Sequence, residues 1–230
     1  MATAGRVVGI TPLPLPPTNR ADLHLDAALI SAGALGRELG MAPLRLAHVG
    51  GLPPGATGHP LLFTPRRPIP VHRFDDPGGI YDVWYGSASA DGAFLEVFAD
   101  SERAFVLPDQ RTGRVCGEVE IDDGLQLIDL RAPAVLGILD RPNGLDDQIG
   151  TTTLYSVTQA WSRAFFEYRG DIGGLVYRAR LAGDRGPSVV LFMPRAAGAR
   201  DAREAGVSVD DVRFQPQRDL LARVARVAWG

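Results

Sequence analysis

The run Arg73–Phe98, RFDDPGGIYDVWYGSASADGAFLEVF, sets an arginine, a short aromatic strand and a carboxylate-bearing helix next to one another. Tyr81-Asp82-Val83-Trp84-Tyr85 is aromatic and β-branched. Pro77-Gly78-Gly79 and Gly86-Ser87 bound it, the punctuation of a strand. Alternation puts Tyr81, Val83 and Tyr85 on one face. Ser89 or Asp91 then caps a helix expected from about Ala93, with Phe94, Val97 and Phe98 on its buried side. Glu96 falls on the flank of that side, between Leu95 and Val97. A carboxylate so placed is either solvated at an edge or held for a purpose.

Outward from this run, the N-terminal part reads differently. Leu13-Pro14-Leu15-Pro16-Pro17 is an extended arm. A helix is expected from about Ala21, capped by Asn19 or Thr18, with Leu25, Leu29, Ala32, Leu35 and Leu39 in helical spacing and Gly40 as its stop. Residues 41–70 are broken up by Gly50-Gly51, Pro53-Pro54-Gly55 and Pro65-Arg66-Arg67-Pro68. The expected division is therefore an N-terminal extension, residues 1–67, packed on a main domain of residues 68–230.

Downstream, Phe105-Val106-Leu107 and Leu125–Leu130 read as strands, the second following an Asp123-Gly124 turn. Residues 141–150 read as a loop. The strongest helix pattern runs from Thr153 to Tyr168, with Leu154, Val157, Trp161, Phe165 and Tyr168 on one stripe and Thr151 or Thr152 as cap. Ser156, Gln159 and Arg163 line another face, which a solvated helix surface accounts for. Gly173–Tyr177 and Ser188–Met193 are expected to pair as a hairpin in the centre of the sheet. Residues 195–204 read as a polar loop, and Asp219–Trp229 as a last amphipathic helix or strand.

Composition bounds the partners. The chain has 230 residues, 45% hydrophobic and 22% charged, with a net charge of -3, ordinary for a globular protein and no attraction for nucleic acid. All 24 basic residues are arginine, so no lysine Schiff base can form. Cys116 is the single cysteine, which excludes an internal disulfide and reads as a buried, inert thiol. No early stretch has signal-peptide layout and no apolar run reaches a membrane-spanning length, so a cytoplasmic protein without membrane attachment is expected. The dispersed His24, His48, His59 and His72 hold no zinc spacing, and the Asp122-Asp123, Asp140 and Asp146-Asp147 group lacks a calcium-loop pattern, so no metal site is expected. Neither a G-x-S-x-G elbow nor a phosphate-binding glycine loop is present.

Arg73, Tyr85 and Glu96 are the residue types a protein needs to grip and cut nicotinamide dinucleotide. A guanidinium fork matches pyrophosphate oxygens. A phenol ring offers a stacking wall. A carboxylate can hold a ribose hydroxyl and the positive charge that grows as an anomeric bond breaks. On residue types alone, a surface arginine, a core tyrosine and a flank glutamate explain the pattern better.

The blocks His72-Arg73-Phe74, Trp84-Tyr85-Gly86-Ser87, Ala93-Phe94-Leu95-Glu96, Thr158-Gln159-Ala160-Trp161, Gly173–Arg180 and Val189-Val190-Leu191-Phe192 resemble, in this order, those of the RES-domain family. The resemblance spans about Pro68 to Met193. It implies an α+β fold, a mixed twisted central β-sheet flanked by helices and similar to ADP-ribosyltransferases. It further implies a toxin that cleaves NAD by phosphorolysis or hydrolysis and is neutralised by a cognate Xre-type antitoxin. Matched position by position, Arg73, Tyr85 and Glu96 become the catalytic residues, with Ser87 and Gln159 added as substrate contacts. NAD is then the substrate, and no cofactor is implied. Ala179 stands where the family has its serine, with Ser188 beyond the block and Ser156 before it. The loss of one such contact costs about 1–3 kcal/mol. That departure keeps two further readings open: a weakened, RES-like nucleotide- or partner-binding module, and an ADP-ribosyltransferase acting on a macromolecule. Self-association into a homo-oligomer also stays open.

Overall fold

The computed structural model describes residues 15–51, 70, 72–99, 105–138, 155–178, 185–193, 195–196, 199–201 and 206–229. In chain order the elements are β1 (Leu29–Ser31), α1 (Ala32–Glu38), β2 (Arg45–Gly51), β3 (Asp82–Ser87), α2 (Ala90–Phe98), β4 (Phe105–Val106), α3 (Pro108–Arg111) and β5 (Arg114–Glu120). They continue with β6 (Gln126–Asp129), α4 (Pro133–Ile138), α5 (Tyr155–Tyr168), β7 (Ile172–Tyr177), β8 (Ser188–Met193), β9 (Arg200–Asp201), β10 (Val207–Ser208), α6 (Gln215–Leu220) and β11 (Ala228–Trp229).

The fold is α+β, built on one mixed sheet in the order β1-β6-β7-β8-β3-β2-β5-β10, with β9 also on β5. Among the described residues only β6 and β7 run parallel within it. A small parallel pair, β4 with β11, lies apart. As expected, β7 and β8 pair antiparallel at the centre, from Gly174 opposite Leu191 to Tyr177 opposite Ser188. Both faces of these strands are covered, which is why IGGLVY and SVVLFM read as unbroken apolar runs rather than alternating ones.

Alternation sorts the strand residues into layers. Tyr81, Leu175, Tyr177, Val190 and Phe192 pack with Trp161 and Phe165 of α5. Trp84, Val176, Val189 and Leu191 face the other way, against Ala32 and Leu35 of α1 and Leu44 and Leu46. A third cluster joins Ala47 and Val49 of β2 to Phe94, Leu95 and Phe98 of α2 and Leu220 of α6. Ala47 lies directly opposite Ser87, so its side chain shares the face of Tyr81 and Tyr85. Helices α5 and α2 therefore cover the same face of the sheet, side by side.

Several expectations are corrected. Within the expected N-terminal extension, residues 29–31 and 45–51 are part of the sheet itself: β1 pairs with β6, and β2 lies between β3 and β5. The expected N-terminal helix is instead two 3₁₀ turns, Arg20–Leu23 and Leu25–Ala28, then β1 and α1. His24 adopts left-handed geometry (φ 47°) between the turns, and pairing with β6 draws Leu29–Ser31 into extended form. Asn19 does cap the first turn, and Gly40 follows α1 at φ 70°, a conformation glycine tolerates. Helix α2 starts at Ala90 with Ser89 as its cap, and Val97 is exposed where Leu95 is buried. Strand β5, unread in the sequence, buries Cys116, and burial pushes that thiol up to about 12. The C-terminal stretch divides into α6, a π-turn at Leu221–Ala225 and β11. The loop at 141–150, Leu154 and the caps Thr151 and Thr152 lie outside the described residues. Among the described residues no helix is long and apolar enough to cross a membrane.

The central hairpin leaves no room at Gly174. A Cβ there would sit 2.1 Å from the Val190 carbonyl oxygen, a backbone atom that cannot swing aside. Gly174→Ala should cost about 1–3 kcal/mol of stability through overpacking. Equilibrium denaturation measures it, and an unchanged midpoint would contradict this account of the hairpin.

Candidate functional site

The turn that carries Arg73 is anchored from helix α5. Thr158 Oγ1 donates to the Arg73 carbonyl at 2.8 Å, Gln159 Nε2 to the His72 carbonyl at 2.8 Å, and Ser162 Oγ to the Phe74 carbonyl at 2.8 Å. Tyr81 O–H donates in turn to Ser162 Oγ at 2.8 Å. All three helix residues are buried; of the face expected to be solvated, Ser156 is exposed and Arg163 half-buried, and Gln159 alone is buried. Gln159 reads as solvated because it is polar. The polarity of Thr158, Gln159 and Ser162 is instead matched to three carbonyls that no strand or helix partners.

Below the turn, Asp76 has a fully buried side chain. It accepts from the Gly78 N–H at 3.1 Å, from the Ile80 N–H, and from Arg163 Nη1 at 3.0 and 3.1 Å. Burial alone would raise its pKa, but these donors outweigh it and hold the carboxyl below its ordinary value. Neither Asp76 nor Arg163 was singled out as this pair from sequence; they are far apart in the chain and no periodicity links them.

Tyr85, on the α5/α2 face of β3, accepts at its hydroxyl from the Phe74 N–H at 3.0 Å. Its ring sits 5.9 Å from His72 and 6.3 Å from Phe74. Burial pushes its phenol well above the ordinary value, Asp75 and Glu96 add to that, and Arg73 pulls it down. Tyr177, which sequence placed in a family block without a role, lies nearby, its ring 5.1 Å from Phe74. Its hydroxyl donates to Glu96 Oε2 at 3.2 Å. Burial first, then Glu96 and Tyr85, push this phenol well up, again opposed by Arg73. The Arg73 guanidinium, the Tyr85 and Tyr177 phenols and the carboxylates of Asp75 and Glu96 thus share a single electrostatic neighbourhood, reached from β3, β7, α2 and the turn before β3.

Glu96 itself is exposed, on the edge of α2. Ser87 is fully buried at the end of β3, directly across from Ser188, which lies across from Tyr177. The Oγ atoms of Ser87 and Ser188 have no hydrogen-bond partner among the described residues. Gly92 lies over the first of them, and a Cβ there would fall 2.0 Å from Ser87 Oγ. Gln159 faces the same turn as Arg73 with its amide directed at a backbone carbonyl. Ala179 lies outside the described residues. A cation for an anionic group, aromatic rings and a carboxylate for a growing positive charge make up a set suited to an anionic nucleotide whose bond breaks with cationic character.

Comparison with known proteins agrees with this fold. The family model described as the RES domain matches residues 46–216. Among solved structures, a chain in the crystal structure of the M. tuberculosis MbcT-MbcA toxin-antitoxin complex is similar at a TM-score of 0.54 and 16% identity, covering 76% of this chain and 88% of that chain. No curated protein matches.

The anchoring of the turn is testable through Asp76. Its folded pKa is depressed, so its stabilisation is in full force above the unfolded carboxyl range and is lost as pH falls from about 4 through the lower folded value. Asp76→Asn should lower stability at neutral pH by about 1.5–3 kcal/mol, the worth of hydrogen bonds to a charged group. It should also flatten the acid limb of the stability–pH curve. Denaturation at stepped pH reads both, and an acid limb as steep as the wild type's would refute the assignment.

Proposed function

The chain belongs to the RES domain family, and on that footing we propose that it is the toxin of a toxin–antitoxin pair and cleaves the nicotinamide–ribose bond of NAD. The observation that carries the reading is the shared neighbourhood of Arg73, Tyr85, Tyr177 and Glu96. Arg73 binds the pyrophosphate, for which a guanidinium fork is well suited. The ring of Tyr85 borders the nicotinamide side. Glu96 holds a ribose hydroxyl and faces the cation that forms at the anomeric carbon. The bonding electrons leave with nicotinamide, which departs neutral, and phosphate or water adds to the ribosyl carbon. Because the leaving group is already cationic in NAD, the chemistry requires no metal or cofactor.

The similar chain in the MbcT-MbcA complex comes from a toxin-antitoxin pair, which supports an antitoxin partner here. An Xre-type protein that covers the site is the partner proposed, since uncontrolled loss of NAD is lethal. The acceptor distinguishes phosphorolysis from hydrolysis and from transfer to a macromolecule.

Purified protein should consume NAD. Product analysis should give nicotinamide with ADP-ribose phosphorylated at the anomeric carbon when phosphate is the acceptor, or free ADP-ribose when water is, and label from NAD on protein or nucleic acid would reveal a macromolecular acceptor instead. Glu96→Ala should slow consumption at least about 100-fold, the scale of losing one electrostatic stabiliser of a transition state. No loss of NAD with wild type, or undiminished loss with the variant, would overturn the proposal.

A further inference from the structure

We infer that Tyr177 is the positioning residue for Glu96: its hydroxyl holds the carboxylate in the one place where it can act on the breaking bond. The inference rests on the NAD-cleaving reading and extends it to a residue that does not itself touch substrate.

Glu96 is exposed at a helix edge, and ordering a glutamate side chain there costs rotamer entropy that its contacts must offset. A group that stabilises charge only in the transition state must be held to within about 0.5 Å of its working position. Tyr177 is suited to that task. It is 1% exposed, on a strand whose six residues are all buried, with Phe74 edge-on to its ring. Its hydroxyl donates to Glu96 Oε2 at 3.2 Å. Burial and the neighbouring carboxylate keep the phenol protonated, so it is a donor throughout the working range and does not compete as a second acid.

The other phenol has a different contact: the Tyr85 hydroxyl accepts from the Phe74 N–H, while it is the Tyr177 hydroxyl that donates to Glu96 Oε2. The two tyrosines divide the work. Tyr85 ties down the turn that bears Arg73, and Tyr177 ties down Glu96. A plain core tyrosine would equally fill the space beside Phe74, but would not require its hydroxyl to meet the one exposed carboxylate of the site.

Tyr177→Phe deletes that hydroxyl and keeps the ring. The variant should fold, bind NAD with KM within about twofold of wild type, and lose kcat on the order of tenfold, as expected when an interaction felt mainly in the transition state is weakened. In a Glu96→Asp background, where the shortened acid no longer reaches the hydroxyl, adding Tyr177→Phe should lower kcat no further. Unchanged kcat, a loss confined to KM, or an equal loss in both backgrounds would overturn the inference and leave the NAD-cleaving reading standing. A chain that no longer folds would make the hydroxyl structural and overturn it too. A wild type inert toward NAD would remove both at once.

Discussion

Three hydrogen bonds from helix α5 to the carbonyls of His72, Arg73 and Phe74 are the constraint on which the site depends. The turn before β3 has no strand partner of its own. Its His72 carbonyl meets a backbone donor, the Asp75 N–H at 3.3 Å, but without the helix the Phe74 carbonyl above all would be left unpaired, at a cost of about 1–3 kcal/mol. Thr158, Gln159 and Ser162 supply the donors from neighbouring turns of one helix. Tyr85 adds a fourth link from the strand, accepting from the Phe74 N–H. Arg73 is consequently presented by a rigid turn rather than a loop, which is what a fixed grip on an anion requires.

The sheet decides what that turn can meet. Because β2 lies opposite Ser87 through Ala47, helix α2 is carried on the same face as α5. Glu96 arrives from α2 and Arg73 from the turn under α5, and the aromatic residues of β3 and β7 stand between the two helices. The residues before position 68 matter here. Without β2 in the sheet, the α2 cluster would lose Ala47 and Val49, and the carboxylate would have no fixed relation to Tyr177.

How much of this could be read from sequence follows from range. Local signals worked: the aromatic alternation of Tyr81, Val83 and Tyr85, the Ser89 cap, the helix up to Tyr168 and the apolar pair β7 and β8 all depend on neighbours a few residues away. Signals that depend on distant partners did not. Leu25, Leu29 and Leu35 keep helical spacing, yet the chain between them is drawn into pairing with β6, and intrinsic propensity yields to a sheet edge. Gln159 looked like a solvated residue because polarity is read as exposure, and its partner lies 87 positions upstream. Tyr177 stood inside an apolar strand, where a ring is expected and a hydroxyl is easily passed over.

The split between buried phenols and an exposed acid has its own logic. A carboxylate that must stabilise a cation has to remain ionised, and burial would oppose that. Placing Glu96 at the edge of α2 keeps it hydrated, at the expense of its order. Placing Tyr177 beneath it restores order with a neutral donor, which takes nothing from the negative charge the reaction needs. Burial and the nearby carboxylates push both phenols up and Arg73 opposes them without cancelling the rise, so both tyrosines stay neutral. On the proposed reading, a guanidinium and a carboxylate in one neighbourhood suit a substrate that is anionic at its pyrophosphate and becomes more cationic at its ribose. A single charge of either sign would serve only one end of it.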